Sequence, residues 1–298
     1  MVSSEGFVTT EDGIRLFFRT LGNGPQTVVI PNGMYLLDDF EPLARERTLV
    51  IYDPRNRGRS DQVDDPAKLE RGVHHDVEDL EAVREHLGID RLDLIGHSYV
   101  GLMVILYAMK HGDHVGRVVQ VGPMEPYPGK KYPAHLTGAD ADDTLREVMA
   151  RLAELQAMRE PEDPTERCRN FWSVLRRIYV TDPADAGRVD WGRCELPNER
   201  GFMKYWIGSL LPSLRALKLA AEDFAQVRTP ILTIHGTRDR SAPYGGAREW
   251  AQLLPNARLV TVEEAGHAPW IEAPEKVFGA IEVFLGGGWP GLGGETMD

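Results

Sequence analysis

Ser98 stands between two apolar runs, Asp93-Leu94-Ile95-Gly96-His97 before it and Tyr99-Val100-Gly101-Leu102-Met103-Val104 after it. The first suits a buried strand and the second a helix, so the serine falls on the turn that joins them. A serine on so sharp a turn is pushed out of the sheet, and small neighbours are needed because the backbone doubles back on itself. Its hydroxyl can then serve as a nucleophile once a base takes its proton. The N-terminus of the following helix adds partial positive charge and free N–H groups where an oxyanion would develop, with the Tyr99 N–H as the natural first donor. The plainer reading is a serine that caps its helix.

The elements that would position such a turn are legible along the chain. Short β-branched runs recur at Thr27 to Ile30, Thr48 to Tyr52, Leu92 to Ile95, Val115 to Val121, Ile231 to Ile234 and Leu259 to Val262. They suit strands buried on both faces of a mainly parallel sheet. Helix-length segments lie between them, at His75 to His86, Val100 to Lys110, Gly246 to Leu254 and Glu275 to Leu285. This alternation predicts an α/β architecture with right-handed crossovers. Phe7 to Thr9 and Ile14 to Thr20 flank Glu11-Asp12-Gly13, a turn signal that predicts an antiparallel hairpin at the sheet edge. Between about Met124 and Ala225 the alternation stops. Helical patterns at Thr144 to Ala157 and Phe171 to Tyr179 follow one another with prolines between. The expected division is a core over 1–123 and 226–285, a helical cap over 124–225 and a flexible, glycine-rich tail over 286–298. Trp172, Tyr179, Trp191, Tyr205 and Trp206 fall in the insertion, either packing its own small core or covering a pocket.

Composition narrows the function classes. With 34 basic and 46 acidic residues the net charge is -12, which repels phosphate backbones and anionic lipid heads, so neither nucleic acid nor membrane is an expected partner. No run reaches the roughly 18 apolar residues of a membrane span, and the N-terminus has no signal pattern, so the cytoplasm is the default compartment. Cys168 and Cys194 are too few for a disulfide framework and show no metal-site spacing, and they read as free thiols.

With Gly96-His97-Ser98-Tyr99-Val100-Gly101 on such a turn, the sequence resembles the α/β-hydrolase superfamily, whose nucleophile elbow is usually Gly-x-Ser-x-Gly. Here Val100 fills the fifth place and the glycine comes one residue later. The resemblance places a base at His267, because Gly266-His267-Ala268-Pro269 followed by Glu272-Ala273-Pro274-Glu275 matches the family's histidine loop after the last strand. An imidazole suits that task, since it titrates near neutrality. His97 is expected to point away into the turn, and His235 lies just past a strand. The resemblance also implies an acid at Asp239, in Gly236-Thr237-Arg238-Asp239, with Glu125 as a rival from the loop after Val115 to Val121; the plainer reading of Asp239 is a turn aspartate. The loop Asn32-Gly33-Met34 matches the family's oxyanion segment, with Asn32 for the usual histidine, and implies the Met34 N–H as second oxyanion donor. Asp53-Pro54-Arg55-Asn56-Arg57-Gly58-Arg59-Ser60-Asp61 resembles a further family segment, to which a loop-bracing role is assigned.

The resemblance covers Gly6 to about Gly122 and Arg228 to about Leu285. It implies acyl transfer to water from a small-molecule carboxylic ester or lactone, with no metal or organic cofactor. Serine at position 98 separates the chain from haloalkane dehalogenases and epoxide hydrolases of this fold, which use aspartate. Two alternatives stay open: a proline-iminopeptidase-like aminopeptidase, and a small-molecule receptor with this fold.

Overall fold

The β-branched runs pair into one eight-stranded sheet in the computed structural model, which describes residues 2–138, 143–157, 163–191 and 193–291. The strands are β1 (Val2–Thr9), β2 (Arg15–Leu21), β3 (Thr27–Pro31), β4 (Thr48–Tyr52), β5 (Leu92–His97), β6 (Val115–Val121), β7 (Ile231–Gly236) and β8 (Ala257–Val262), in the order β1-β2-β4-β3-β5-β6-β7-β8. The β1–β2 hairpin is antiparallel, β2 lies antiparallel on β4, and every later pairing is parallel.

Alternate side chains go to opposite faces, as the pleat requires. Val28, Ile30, Leu49, Ile51, Val119 and Val121 join one core cluster, and Val29, Val50, Leu94 and Val118 join the other. The chain covers both faces with helices: α1 (Val73–His86), α2 (Tyr99–Lys110), α3 (Thr144–Ala157), α4 (Pro164–Leu175), α5 (Pro197–Tyr205), α6 (Tyr244–Leu253) and α7 (Pro274–Leu285). Val73, Val77, Leu80 and Val83 of α1 pack with α2 on the Val29 face, and Val277, Ile281 and Phe284 of α7 pack on the Val28 face.

Between β6 and β7 the described residues form helices and turns without a strand. Only Val148, Leu152 and Ile178 form a separate buried cluster there. Trp172 and Trp191 instead join the core on one side and Tyr205 joins it on the other, so the inserted helices are clasped to the sheet domain rather than packed around themselves.

Cys168 and Cys194, expected as free thiols, form a disulfide with Cα atoms 5.7 Å apart. Two cysteines cannot make a framework, but α4 brings Cys168 beside the strand of chain that leads into α5. A loop of 26 residues is closed. Reducing the bond, or replacing Cys168 by serine, is expected to cost about 3 kcal/mol, seen as a lower unfolding midpoint with and without dithiothreitol. An unchanged midpoint would mean that the link adds nothing to the fold.

The tail expected to be flexible from 286 onward begins ordered. Gly287 N–H and Gly288 N–H donate to the carbonyls of Phe284 and Val283, and Trp289 lies 5.0 Å from the Phe284 ring. Residues 292–298 of that tail are outside the described residues.

Candidate active site

Ser98 sits between the last residue of β5 and the first of α2, with φ 59° and ψ -129°. For a residue with a Cβ this conformation costs of the order of 1–3 kcal/mol and persists only where the surroundings enforce it. Here Ser98 N–H donates to Val121 O, and Ser98 O accepts from both Gly101 N and Met124 N. Although Ser98 occupies the cap position of α2, its side chain makes no capping hydrogen bond. The capping reading therefore fails, and the hydroxyl is left to the cavity that Ser98 lines. The displaced glycine also has a cause: a Cβ at Gly101 would stand 2.7 Å from Cβ of Pro123, whereas Val100 is simply buried.

His267 follows β8, and its Nδ1 lies 2.7 Å from Asp239 Oδ2, both side chains sealed from solvent. The approach depends on Gly122 at the end of β6. Its φ is +51°, and a Cβ there would stand 2.9 Å from His267 O. Asp239 is also the turn aspartate: its Oδ1 accepts from Ser241 N and Ala242 N, each at 2.8 Å. The turn reading of Asp239 thus holds on Oδ1, while Oδ2 is left facing His267. Burial resists its ionisation, but the charge of His267 and hydrogen bonds from His235 and His267 prevail and hold its pKa well below the usual carboxylate range. Glu125 is elsewhere, with Oε1 accepting from Gly129 N at 2.7 Å.

Two histidines matter more than their sequence positions suggested. His235 is inside β7, with Nε2 3.1 Å from both Asp239 Oδ2 and Ala242 O. Because a carbonyl only accepts, Nε2 carries the hydrogen and reaches the acid beside His267. His97 does not turn away. Its Nε2 donates to His267 O at 3.0 Å, which leaves Nδ1 to accept from Tyr35 O–H at 2.8 Å. Burial, then the neighbouring His267 charge, push the His97 pKa far down, so it works as a neutral connector. It ties the Gly33–Tyr35 turn to the loop that carries His267, across the Ser98 turn. Neighbouring motifs gave no sign of this link, since it runs through three loops.

Met34 lies in the 3-10 turn Gly33–Tyr35, entered through Asn32 at φ 54°, and Tyr99 opens α2. Both are first-turn positions, whose N–H groups a helix leaves unpaired.

Ser98, His267, Asn32 and Tyr99 face one cavity of about 510 Å³. Its far walls are largely apolar and come from the segment between β6 and β7, including Leu152, Phe171, Trp172, Tyr179, Trp191 and Trp206. The segment from Asp53 to Asp61 divides in two. Arg55 braces, as expected, donating to Asp79 and to Asp12. Asp53 and Arg57 instead line the cavity, which corrects a purely structural assignment. Burial pushes the Asp53 carboxyl up to about 6 against the Arg59 N–H that it accepts.

A sheet of this order, with a serine elbow after β5 and a histidine–aspartate pair after β8 and β7, defines the α/β-hydrolase fold. The family model for that fold matches residues 38–274, and the chain belongs to the α/β-hydrolase family. Among curated relatives it is 22% identical over 306 residues to a proline iminopeptidase of Heyndrickxia coagulans, covering 95% of this chain and 98% of the relative. It is 24% identical over 287 residues to a bifunctional esterase/perhydrolase of Acinetobacter calcoaceticus, covering 90% and 95%. Among solved structures, the esterase RhEst1 from Rhodococcus sp. ECU1013 superposes with a TM-score of 0.68 at 20% identity, over 95% of this chain and 99% of that one. No helix among the described residues is long and apolar enough to cross a membrane.

Proposed function

We propose that the protein is a serine hydrolase that cleaves carboxylic esters or lactones through an acyl-enzyme. The observation that carries the reading is the sealed 2.7 Å contact of His267 Nδ1 with Asp239, on the cavity where Ser98 presents an uncapped hydroxyl. Ser98 Oγ attacks the carbonyl carbon and its proton passes to His267 Nε2. The Met34 and Tyr99 N–H groups receive the oxyanion. The tetrahedral centre then collapses, and His267 gives the proton to the leaving alcohol. Water, deprotonated by His267, attacks the acyl-enzyme, and the acid leaves as Ser98 takes back its proton. Asp239 holds the imidazole with its hydrogen on Nδ1 and stabilises the imidazolium. The helices of 124–225 act as a cap whose aromatic wall selects the acyl compound. Disulfides are rare in the cytosol, so the bond between Cys168 and Cys194 speaks for an oxidising compartment.

An alkyl fluorophosphonate is expected to inactivate the protein and leave one phosphonyl group on the peptide bearing Ser98, identified by mass spectrometry. Turnover of a short-chain p-nitrophenyl ester should disappear in step with labelling, while a prolyl anilide is cleaved far more slowly. Labelling at another residue would sink the nucleophile assignment, and preference for the anilide would favour an aminopeptidase.

A further inference from the structure

Arg57 is an anomaly on the cavity wall. Its side chain is 8% exposed, yet none of its guanidinium nitrogens makes a hydrogen bond among the described residues, and Nε is sealed from solvent without one. A guanidinium offers five N–H donors, and leaving them unused in a buried place is costly. What holds it is not hydrogen bonding. The guanidinium carbon lies 3.5 Å from the centroid of the Phe202 ring, and Nε is 3.6 Å from Glu199 Oε1, both partners on α5. Glu199 is itself occupied by Gly58 N–H at 3.1 Å. Aromatic stacking and a side-on carboxylate fix the plane of the group while its terminal nitrogens stay uncommitted. Arg193, the other arginine on this wall, is partly exposed and lies 3.8 Å from Asp38.

Resting on the hydrolase reading above, we propose that Arg57 is the recognition site for a carboxylate carried by the substrate. The preferred substrate is then an ester or lactone with an apolar body and an anionic group away from its scissile carbonyl. The planar fork matches a carboxylate bidentately, and the apolar, partly closed cavity strengthens the pairing. The aromatic walls take the body of the molecule, and Ser98 lines the same space. Glu199 meets the guanidinium at Nε, so the paired terminal nitrogens remain for the ligand. Anchoring at Arg57 from the sheet domain while α5 supplies Phe202 and Glu199 makes the anion site an interface between the core and the inserted helices.

The test uses unreactive ligands, so that it reads recognition separately from chemistry. Phenylacetate, phenylacetamide and benzylammonium are titrated into the wild-type protein by calorimetry. Phenylacetate is expected to bind at least about tenfold more tightly than the amide. Arg57→Met, an apolar side chain able to lie on Phe202, should erase that preference while amide binding holds. Arg57→Lys keeps the charge and loses the fork, and should weaken phenylacetate about three- to tenfold; it also serves if the methionine variant does not fold. Equal binding of acid and amide by wild type overturns the proposal. So does tighter binding of benzylammonium, which would make Glu199 the recognition group, or a carboxylate preference that survives both variants, which would place it at the oxyanion donors. Fluorophosphonate labelling of Ser98 is scored separately, so failure of the hydrolase reading is distinguishable from failure at Arg57.

Discussion

Asp239→Asn is expected to lower kcat about 10⁴-fold while leaving KM near wild type, and to lower the unfolding midpoint because the carboxylate that His235 and His267 hold ionised is lost. The size of the effect follows from which atoms the side chain faces. Oδ1 accepts two backbone N–H groups from Ser241 and Ala242, and Oδ2 faces the Nδ1 of His267 with Nε2 of His235 beside it. An asparagine has one acceptor and one donor. Its oxygen would stay with the two backbone donors, since turning the amide would set its NH₂ against both. The NH₂ would then point at His267 Nδ1, which must become an acceptor. That moves the ring hydrogen to Nε2, the nitrogen that takes the proton of Ser98 in the proposed mechanism. Steady-state kinetics beside Ser98→Ala would check this, with the serine variant falling on the order of 10⁶-fold. If Asp239→Asn kept a tenth of wild-type kcat, the acid would have to be another residue.

The second large effect concerns stability rather than turnover. Asp76, on α1, is 1% exposed and neither carboxyl oxygen has a hydrogen-bond partner among the described residues. Burial, then the neighbouring Asp79, push its pKa up to about 8, against Arg55 and Arg57. In the unfolded chain the same group titrates near the ordinary aspartate value of 3.8. Between those values the folded state binds the extra proton, so stability is full below about pH 4 and falls as pH rises towards about 8. Asp76→Asn removes that loss and is expected to be the more stable protein in alkali, by up to about 5 kcal/mol near pH 8.5, with little advantage at pH 4. Urea unfolding of both proteins across this range isolates Asp76 from Asp53, whose raised pKa tilts the curve the same way. A gap that does not widen with pH would show that Asp76 is not the buried proton site.

The strands of the core were readable because burial on both faces demands uninterrupted β-branched runs. Thr48–Tyr52 and Val115–Val121 carry the same limits in sequence and in structure. The elbow was readable for a similar local reason, a turn squeezed between strand and helix. Long-range geometry was not. Nothing in the neighbourhood of His97 announces that it links Tyr35 to the backbone of His267, and the spacing of Cys168 and Cys194 carries no sign that α4 and the approach to α5 meet. Arg57 was hidden differently. Its motif mixes a bracing arginine with one that faces the cavity, and charge alone cannot tell two arginines apart when they differ only in which way the loop turns them.

The pairing of β6 with β7 joins Val118 to Ile231 across roughly 110 residues of intervening chain. Closing a loop of that length costs only about 1 kcal/mol more than closing an ordinary crossover of some 25 residues, because the entropy grows with the logarithm of length. The disulfide between Cys168 and Cys194, once formed, shortens the effective loop further. Sheet formation is therefore nearly indifferent to how much chain lies between these two strands. Chain length there can change at little entropic cost to the strands that hold Ser98 and Asp239, so the walls of the cavity can vary in length and outline while those two residues stay where the sheet places them.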